Sequence, residues 1–593
     1  MAGPETGAPP DAGVGAVEDD DLATQLGAML RAFWATPQRN RLIALAVALV
    51  TVIGATAWAQ IRLNAWNQPF YNALTARNLP AFVTQLGVFA MLAGVLLVLN
   101  VAQTWLNQMT RLVLRQGLVG DLFGEWLAPL RAFRLANAGP IGTNPDQRLA
   151  ADAQHLTDLT TDLGIGLLQS TLLLASFIGV LWELSDGMGA TIFGVVVNPP
   201  GYMVWCALVY AGTASLLSYL VGRPLIRLDA EHYAREADLR FELVRVSEGV
   251  EAIAMYGGEA AERGRLDATF GTVLAISRRI VSAVTRLTWV TAGYGWFTIV
   301  APILVAMPSY FAGKMSFGEL MMVVGAFNQV QQSLRWYVDN FSAIADWRAT
   351  LLRVAAFRKA VIAMDRLGQS TGRFTLTEGA GTGIRIADLC IAGPVGTVRL
   401  DPATLDLKPG DRVLIGGGHG EGKTLFFRAL IGLWPWGSGT IERPRRERIM
   451  FLPARAYLPT GTLRACLTYP QSETAFDDAA IAAALTDVGL QRLVPQLGKF
   501  HRWERHLSEN EKHCLAFARA ILQRPDWVVI DDALNFIERG ARQRIESIFM
   551  TRLTDMGVIN IGHDGGRPGF YTRQVTLTVD AAGPKFTPAS GAS

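Results

Sequence analysis

The sequence has few cysteines, few lysines and little charge for its length. Its 593 residues include four cysteines, seven lysines and 47 arginines. Charged residues make up 18% of the chain, against roughly 25% in average globular domains. This composition excludes a disordered protein, and a net charge of +3 gives no reason to expect a nucleic-acid partner. Four cysteines in a chain of this length exclude a disulfide scaffold, and they have neither a CxxC pair nor metal-ligand spacing.

The sequence is rich in apolar residues, which make up 50% of it. Mean hydropathy is +0.25, and most of the apolar residues precede residue 340. A membrane span needs about 20 mainly apolar residues. The last two candidate segments carry more polar residues, as helices that line an aqueous cavity would. We therefore predict a six-helix transmembrane domain with spans at 41–61, 82–104, 161–183, 202–222, 286–308 and 316–338.

Arginines are concentrated in two of the connections between these spans. The connection 105–160 holds five arginines and the connection 223–286 holds ten, whereas the other connections between the spans are nearly bare. Because basic connections stay on the cytoplasmic side, we predict that both long connections and both chain ends lie in the cytosol. Helix-like patterning in the long connections also predicts that the membrane helices continue far beyond the bilayer.

The pattern changes at about residue 370, where short β-like runs begin to alternate with helical stretches. This alternation is typical of an α/β domain with a largely parallel sheet. The predicted strands are Gly383–Ile391, Arg412–Ile415, Arg448–Leu452, Trp527–Ile530 and Val558–Ile561. We predict a disordered acidic segment at 1–27, a transmembrane domain at 28–365, an α/β domain at 366–580 and a tail at 581–593.

A phosphate-binding motif lies between the predicted strand Arg412–Ile415 and the helical run Leu425–Leu433. The pattern GxxxxGK[ST] in this context is a P-loop, whose backbone N–H groups and helix dipole bind phosphates. Lys423 adds a point charge and Thr424 an oxygen for Mg²⁺. The alternative, a glycine-rich turn that binds nothing, does not account for the flanking strand and helix. The predicted ATP-binding residues are Gly417, Gly418, His419, Gly420, Glu421, Gly422, Lys423 and Thr424.

Two carboxylates follow the apolar strand Trp527–Ile530, about 110 residues after the P-loop. In P-loop NTPases the acid at this strand end holds Mg²⁺, and we assign that role to Asp531. We predict that Asp532 polarises the attacking water. Taken alone, Ser508 is a helix cap and His563 a surface histidine. Their order and spacing relative to the P-loop make Ser508 a candidate nucleotide contact and His563 a candidate catalytic residue.

In this order of motifs the chain resembles the ATP-binding cassette (ABC) transporters. The similarity is closest to the SbmA/BacA-like ATP-binding/permease proteins and the peroxisomal D subfamily. It rests also on the segments at 70–74, 144–148, 251–259, 345–349, 432–435 and 515–519.

The resemblance implies an exporter-like (type IV) transmembrane domain fused to a P-loop cassette. It also implies a half-transporter in a bacterial cytoplasmic membrane, with a second chain, identical or different, completing two ATP–Mg²⁺ sites. The segment Glu251–Glu259 would lie near the cassette and help to couple it to the membrane helices.

The sequence departs from the family at four places in the ATP site. Asp532 stands where the family usually has glutamate, and Ala454 stands where a glutamine is expected. The signature (residues 507–511) reads LSENE, so Asn510 replaces a glycine whose backbone approaches the γ-phosphate of the partner chain, and its side chain obstructs that approach. Glu509 adds negative charge there. No aromatic residue lies between Thr375 and Leu425 to stack on adenine. We therefore predict nucleotide binding with slow hydrolysis.

Two kinds of transport remain open on the sequence alone. The first is ATP-driven translocation of an unidentified substrate, with uptake of bulky hydrophilic compounds or peptides as the family analogy. The alternative is proton-coupled transport with a regulatory or vestigial cassette. Glu319, an ionisable residue in the last predicted span, is the candidate for a proton or substrate contact. Polar and aromatic residues at 58–67 form either an interfacial belt or a cavity mouth. A nucleotide-gated scaffold is a third interpretation.

Overall fold

The computed structural model describes residues 38–136, 145–185, 190–192, 195–197, 199–364, 373–393, 396–417, 422–562 and 569–580. The chain forms two compact units. One contains Met1–Glu125 and Asn144–Lys359, and the other contains Trp126–Thr143 and Ala360–Ser593. The predictions for 1–27, 581–593, Gly418–Glu421 and His563 lie outside the described residues. The predicted domain limits stay a prediction.

The first unit is built from long helices. They are α1 (Arg39–Thr75), α2 (Leu79–Trp126), α4 (Ala153–Leu184, after a π-helical turn at Gln147–Asp152), α5 (Tyr202–Glu248), α6 (Val250–Tyr256), α7 (Glu259–Phe311), α8 (Phe317–Asp339) and α9 (Phe341–Ala363), with a hairpin of β1 (Ala190–Ile192) and β2 (Val195–Val197). Five helices in the described part of the chain, α1, α2, α4, α5 and α7, are long and apolar enough to cross a membrane. These five contain the first five predicted spans.

The prediction that the membrane helices continue beyond the bilayer stays a prediction, and two of the apolar helices are long enough for it. Helix α2 has 48 residues and α5 has 47, so each is about 70 Å long at 1.5 Å per residue. This is more than twice the roughly 30 Å thickness of the hydrocarbon core.

Helix α8 contains the sixth predicted span, but it is not among the five apolar helices. It lies at the centre of the unit, and Val323, Ala326, Phe327 and Val330 are almost completely buried against α1, α4, α5 and α7. A helix surrounded by protein does not need an apolar surface on every side. This is the physical reason why its glutamines and Asn328 are tolerated and its hydropathy is low.

The second unit contains a mixed β-sheet flanked by helices. Its helices are α3 (Arg131–Ala136), α10 (Lys423–Ile431), α11 (Leu463–Thr468), α12 (Asp478–Asp487), α13 (Trp503–His506), α14 (Glu509–Gln523) and α15 (Arg539–Thr551). Its strands are β3 (Thr375–Gly379), β4 (Ile384–Ala392), β5 (Thr397–Asp401), β6 (Thr404–Leu407), β7 (Arg412–Gly416), β8 (Gly437–Pro444), β9 (Ile449–Leu452), β10 (Gly461–Thr462), β11 (Phe500–His501), β12 (Trp527–Asp531), β13 (Gly557–Ile561) and β14 (Arg573–Asp580).

The main sheet has the order β3-β8-β4-β5-β14-β7-β13-β12-β9, and β6 pairs with β4. The strands from β14 to β9 are parallel, whereas β4 pairs antiparallel with β5, β6 and β8. All five predicted strands form within one residue of their predicted ends. Apart from β4, the antiparallel part of the sheet was missed because strands such as β6 and β14 are half exposed and carry polar residues at every second position.

The central strands are apolar because both of their faces are buried. In β12, Val528 and Ile530 pack into one core with α14 and α15, whereas Trp527 and Val529 pack into the core on the other face with α10. Successive side chains of a strand point to opposite faces, so a strand covered on both sides reads as a continuous apolar run. Each such aliphatic side chain stabilises the fold by about 1.5–3 kcal/mol. Packing on both faces of β12 therefore holds Asp531, its last residue, in a defined position.

Candidate functional site

Three parallel strands bring the predicted site residues to one edge of the sheet. Strand β13 lies between β7 and β12, with Ile561 in register with both Ile415 and Asp531. The N–H of Gly562 donates to the carbonyl of Ile415 at 3.1 Å and extends this alignment past the strand ends. Ligands of open α/β sheets bind at the carboxyl ends of the strands. The P-loop and the two carboxylates, 110 residues apart in sequence, therefore share one edge.

The described part of the P-loop consists of Gly417 and the turn from Gly422 into the helix that follows. Gly422 has a left-handed backbone (φ 76°), and a Cβ there would collide with Val398, so the turn requires glycine. Helix α10 begins at Lys423 and has no side-chain cap at its N-terminus. The Nζ of Lys423 donates to the carbonyl of Gly417 at 3.3 Å. A helix N-terminus beside a lysine is suited to binding phosphate.

Asp531 is a buried carboxylate at the end of β12, with only 6% of its surface exposed. Burial and the neighbouring charge of Asp532 raise the pKa of Asp531 to about 6, and the charges of Arg428 and Lys423 oppose this shift. A carboxylate oxygen close to the P-loop helix is a ligand type that Mg²⁺ prefers, usually together with phosphate oxygens. The residues present therefore fit a magnesium–triphosphate group.

The raised pKa of Asp531 predicts a pH dependence of magnesium-nucleotide binding. The carboxylate is ionised above about pH 6 and neutral below it, and a metal ligand must be deprotonated. We expect the affinity for Mg²⁺–ATP to fall by about tenfold for each pH unit below 6. Titration calorimetry between pH 5 and 8 measures this slope. ATP itself titrates in the same range, so Asp531→Asn is the control, and equal slopes in both proteins would contradict the prediction.

Asp532 has a constrained position next to Asp531. Its backbone is left-handed (φ 52°), and its N–H donates to the carbonyl of Ile561 at 2.9 Å. Its Oδ1 accepts a hydrogen bond from Nδ2 of Asn535 at 2.9 Å. A Cβ placed on Gly562 would lie 2.5 Å from this Oδ1. The carboxylate thus lies over Gly562, the residue before His563, at the edge shared with the P-loop.

Ser508 forms the N-cap of α14, in agreement with the simpler of its two sequence interpretations. Its hydroxyl accepts from the N–H of Glu511 at 3.3 Å, and its own N–H donates to Oε2 of Glu511 at 3.0 Å. This is a capping box. The side-chain hydrogen bonds of Ser508 thus stay within α14, so its predicted role as a nucleotide contact stays a prediction.

The two unusual residues of the signature segment both have partners within the cassette. Glu509 accepts a hydrogen bond from Nζ of Lys512 at 2.7 Å, which holds the pKa of Glu509 below its usual range. The Oδ1 of Asn510 accepts from the N–H of Glu538 at 3.0 Å. The negative charge of Glu509 is therefore partly neutralised, and the Asn510 side chain is bound to its own domain.

Two residues near the nucleotide site, Arg428 and Phe133, were not predicted from the sequence. Arg428 lies on α10 and its charge acts on Asp531. Its guanidinium carbon is 6.0 Å from the ring centre of Phe133, on helix α3. Helix α3 comes from the first long basic connection but belongs to the second unit. A segment that joins two membrane helices therefore lies beside the helix that begins with Lys423.

Glu319, the candidate proton contact, is used structurally in the first unit. Its Oε2 accepts from the N–H of Ser316 at 2.7 Å as part of a capping box, and its Oε1 accepts from Gln68 at 3.2 Å. Nearby, Nδ2 of Asn64 donates to the carbonyl of Met322 at 3.1 Å. These contacts hold α1 against α8. Asn64, from the polar segment 58–67, and Glu319, on α8, therefore both have a role in helix packing.

A cavity of about 880 Å³ lies between α5, α7 and α8. Aromatic and aliphatic side chains line it, among them Tyr202, Trp205, Trp289, Phe297 and Phe327. Such a lining favours apolar ligands. It gives no support to the expectation of a bulky hydrophilic substrate, which rests on the family resemblance.

Comparison with known proteins accounts for both units. Residues 30–311 match the family "ABC transporter transmembrane region 2", and residues 400–535 match the family "ABC transporter". The chain is an ABC transporter. Because one membrane region is fused to one cassette, it has the organisation of a half-transporter.

The similar proteins include bacterial and eukaryotic transporters. The "Inner membrane ABC transporter ATP-binding protein YddA" of Escherichia coli (strain K12) is 26% identical, over 91% of this chain and 94% of that protein. "ABC transporter D family member 2, chloroplastic" of Arabidopsis thaliana is 25% identical, over 93% and 85%. Human "ATP-binding cassette sub-family D member 3" is 24% identical, over 74% and 70%. The prediction of an SbmA/BacA-like branch stays a prediction.

Proposed function

We propose that this half-transporter binds and slowly hydrolyses ATP and uses the cycle to move a substrate across the bacterial cytoplasmic membrane. The observation that carries the proposal is the shared sheet edge, where Lys423, Asp531 and Asp532 meet in a chain with membrane-crossing helices. The cassette and both chain ends lie in the cytosol, and α8 is the sixth span. The identity of the substrate and the direction of transport stay open.

Each site residue has a proposed role in this reaction. Backbone amides of residues 417–424 and the Lys423 ammonium bind the phosphates, and Thr424 and Asp531 hold Mg²⁺. When bound, Mg²⁺ neutralises phosphate charge. Asp532 and His563 orient the attacking water and accept its proton. Ser508 contributes to the nucleotide site of the partner chain, so two chains, identical or different, form the working dimer.

The neutralised signature segment supports hydrolysis. An unpaired Glu509 at about 4 Å from phosphate would repel it by roughly 4 kcal/mol at an effective dielectric constant of 20, before solvent and salt screen this exposed side chain. The hydrogen bond from Lys512 at 2.7 Å lowers this repulsion. Ala454 still supplies no side-chain ligand, and Asp532 is one methylene shorter than glutamate. The Glu509–Lys512 contact thus favours hydrolysis, whereas Ala454 and Asp532 slow it, and we propose a slow rate.

Helix α6 is the proposed coupling element. It lies in the predicted segment Glu251–Glu259, and its end is exceptionally open, with Met255 76% and Tyr256 89% exposed. An exposed apolar pair at a helix end fits a contact with another protein surface. We assign that contact to a cassette of the dimer.

Replacing Tyr256 by alanine tests this coupling element. Exposed interface aromatics often contribute about 2 kcal/mol to a contact. We expect ATP affinity to stay within twofold and ATPase activity in lipid to fall several-fold, because the cassettes no longer follow the membrane helices. Tyr233→Ala is the matched control, since Tyr233 is 73% exposed on α5. Equal activities of the two variants would contradict the assignment.

The structure offers no observation in favour of proton coupling through Glu319. Both of its carboxylate oxygens accept hydrogen bonds that hold α8 at its start and against α1. We therefore propose that ATP, and not a proton gradient, drives transport. The experiment is vanadate-sensitive ATP hydrolysis by the purified protein in lipid nanodiscs, compared with the Lys423→Ala variant. A protein that neither binds nor hydrolyses ATP would overturn the proposal.

A further inference from the structure

The loop of residues 532–538, between β12 and α15, controls the direction of the Asp532 carboxylate. It starts with a short 3₁₀ turn, Ala533–Phe536. Asn535 binds Asp532 twice, through its side-chain Nδ2 to Oδ1 and through its N–H to the backbone carbonyl, both at 2.9 Å. Both bonds are made inside the loop. Asn535 is therefore one of the groups that hold the carboxylate in place.

The signature helix α14 holds this 532–538 loop at its far end. The Oδ1 of Asn510 accepts the N–H of Glu538, the last residue of the loop, at 3.0 Å. It is also 3.8 Å from the thiol of Cys514, which donates to it. A glycine at position 510 would offer no acceptor. The bond therefore exists because this chain has asparagine there.

A second contact joins the same helix face to the middle of the loop. His513 is one turn after Asn510, and residues three apart lie on one face of a helix. Its ring stacks on Phe536 with centroids 5.1 Å apart and planes inclined by 11°. His513 is 1% exposed, and within the described part of the chain neither ring nitrogen has a hydrogen-bond partner. It therefore contacts the loop through its ring face.

These contacts hold a strained segment. Asp532 has a left-handed backbone, which is uncommon outside glycine and persists where the surroundings enforce it. Its side chain is also short. Since a misplacement of 1 Å can cost about 10²-fold in rate, a carboxylate on a loosely held loop would be a poor catalyst.

We propose that Asn510 and His513 are positioning residues, which fix the 532–538 loop so that Asn535 holds the Asp532 carboxylate in place for ATP hydrolysis. This inference rests on the proposed function. It reverses the sequence interpretation of Asn510 as an obstruction in the nucleotide site. An obstruction predicts faster hydrolysis when Asn510 is replaced by glycine, whereas a positioning residue predicts slower hydrolysis.

The test compares Asn510→Gly with Asn510→Asp, which keeps an acceptor oxygen for the N–H of Glu538. In nucleotide-free protein, hydrogen–deuterium exchange at 532–538 should be at least tenfold faster in the glycine variant and nearly unchanged in the aspartate variant. With ATP, we expect Asn510→Gly to lose about tenfold in kcat while KM for ATP stays within twofold. Asn510→Asp adds a negative charge near the phosphates, so this variant is compared by exchange in nucleotide-free protein only.

A second substitution tests the route through Asn535. We expect Asn535→Ala to lower kcat by about tenfold, and the double variant with Asn510→Gly to be little slower than Asn535→Ala alone, because both act on the same carboxylate. Unchanged exchange, a higher kcat in Asn510→Gly, fully additive losses, or a loss of kcat with an equal rise in KM would each overturn the positioning role. Failure of the proposed function would appear differently, as absent hydrolysis in the wild-type protein.

Discussion

Replacing Lys423 by alanine is expected to abolish ATP hydrolysis. Lys423 opens helix α10 and its Nζ lies 3.3 Å from the carbonyl of Gly417, so its charge lies beside the first residue of the P-loop motif. Removing one fixed donor to a developing negative charge commonly costs about 10²–10³-fold in rate. Since Lys423 also contacts the ground-state phosphates, we expect ATP affinity to fall as well. Steady-state hydrolysis and nucleotide binding in nanodiscs measure both effects.

Lys499→Ala is the matched control for this substitution. Lys499 is exposed on the same unit, so its loss changes the net charge equally and leaves the site intact. Wild-type hydrolysis rates in Lys423→Ala would refute ATP drive. Uptake that persists in Lys423→Ala and collapses with a protonophore would instead establish the proton-coupled alternative.

Replacing Asp532 by asparagine is expected to separate binding from hydrolysis. The amide keeps an oxygen that can accept the hydrogen bond of Asn535, so the loop geometry is retained, but the negative charge that accepts a proton is lost. General-base catalysis typically contributes about 10²–10⁴-fold. We expect kcat to fall within this range while ATP affinity changes less than threefold, or rises because a repulsive charge is removed.

Asp555→Asn serves as the control, because Asp555 is an exposed carboxylate of the same domain. Single-turnover hydrolysis and equilibrium binding are measured on both variants. If Asp532→Asn hydrolyses ATP at the wild-type rate, the catalytic base is another group. A parallel loss of binding would show that the substitution disturbs the site as a whole.

Sequence reasoning worked best where one element determines its own pattern. Strands β12 and β13 were predictable because a strand buried on both faces must be apolar along its whole length, whatever its neighbours are. The P-loop was recognisable because Gly422 needs a left-handed backbone that few residues adopt. Helices α2 and α5 were predictable because their apolar and polar segments each continue the same helical period.

The same reasoning was weaker where the meaning of a residue depends on its partner. Glu509 is a repulsive charge in the sequence and half of an ion pair with Lys512 in the structure. Glu319 is an ionisable residue in a predicted span, which is typical of a proton site. In the structure its carboxylate forms a capping box with Ser316 and accepts a hydrogen bond from Gln68. Helix α8 is too polar for a lipid-exposed span, and its burial at the centre of the unit removes that requirement.

The sequence by itself determined that a membrane domain precedes an ABC cassette, and which residues compose the P-loop and the acidic strand end. Those features depend on local periodicity and on backbone conformations that only certain residues allow. Tertiary structure decided the rest: which polar side chains pack helices together, that helix α3 belongs with the cassette, and that Asn510 holds the loop carrying Asp532. Contacts between residues 28 or more positions apart, such as Asn510 and Glu538, leave no periodic signal in the chain, because they depend on how the strands and helices are brought together.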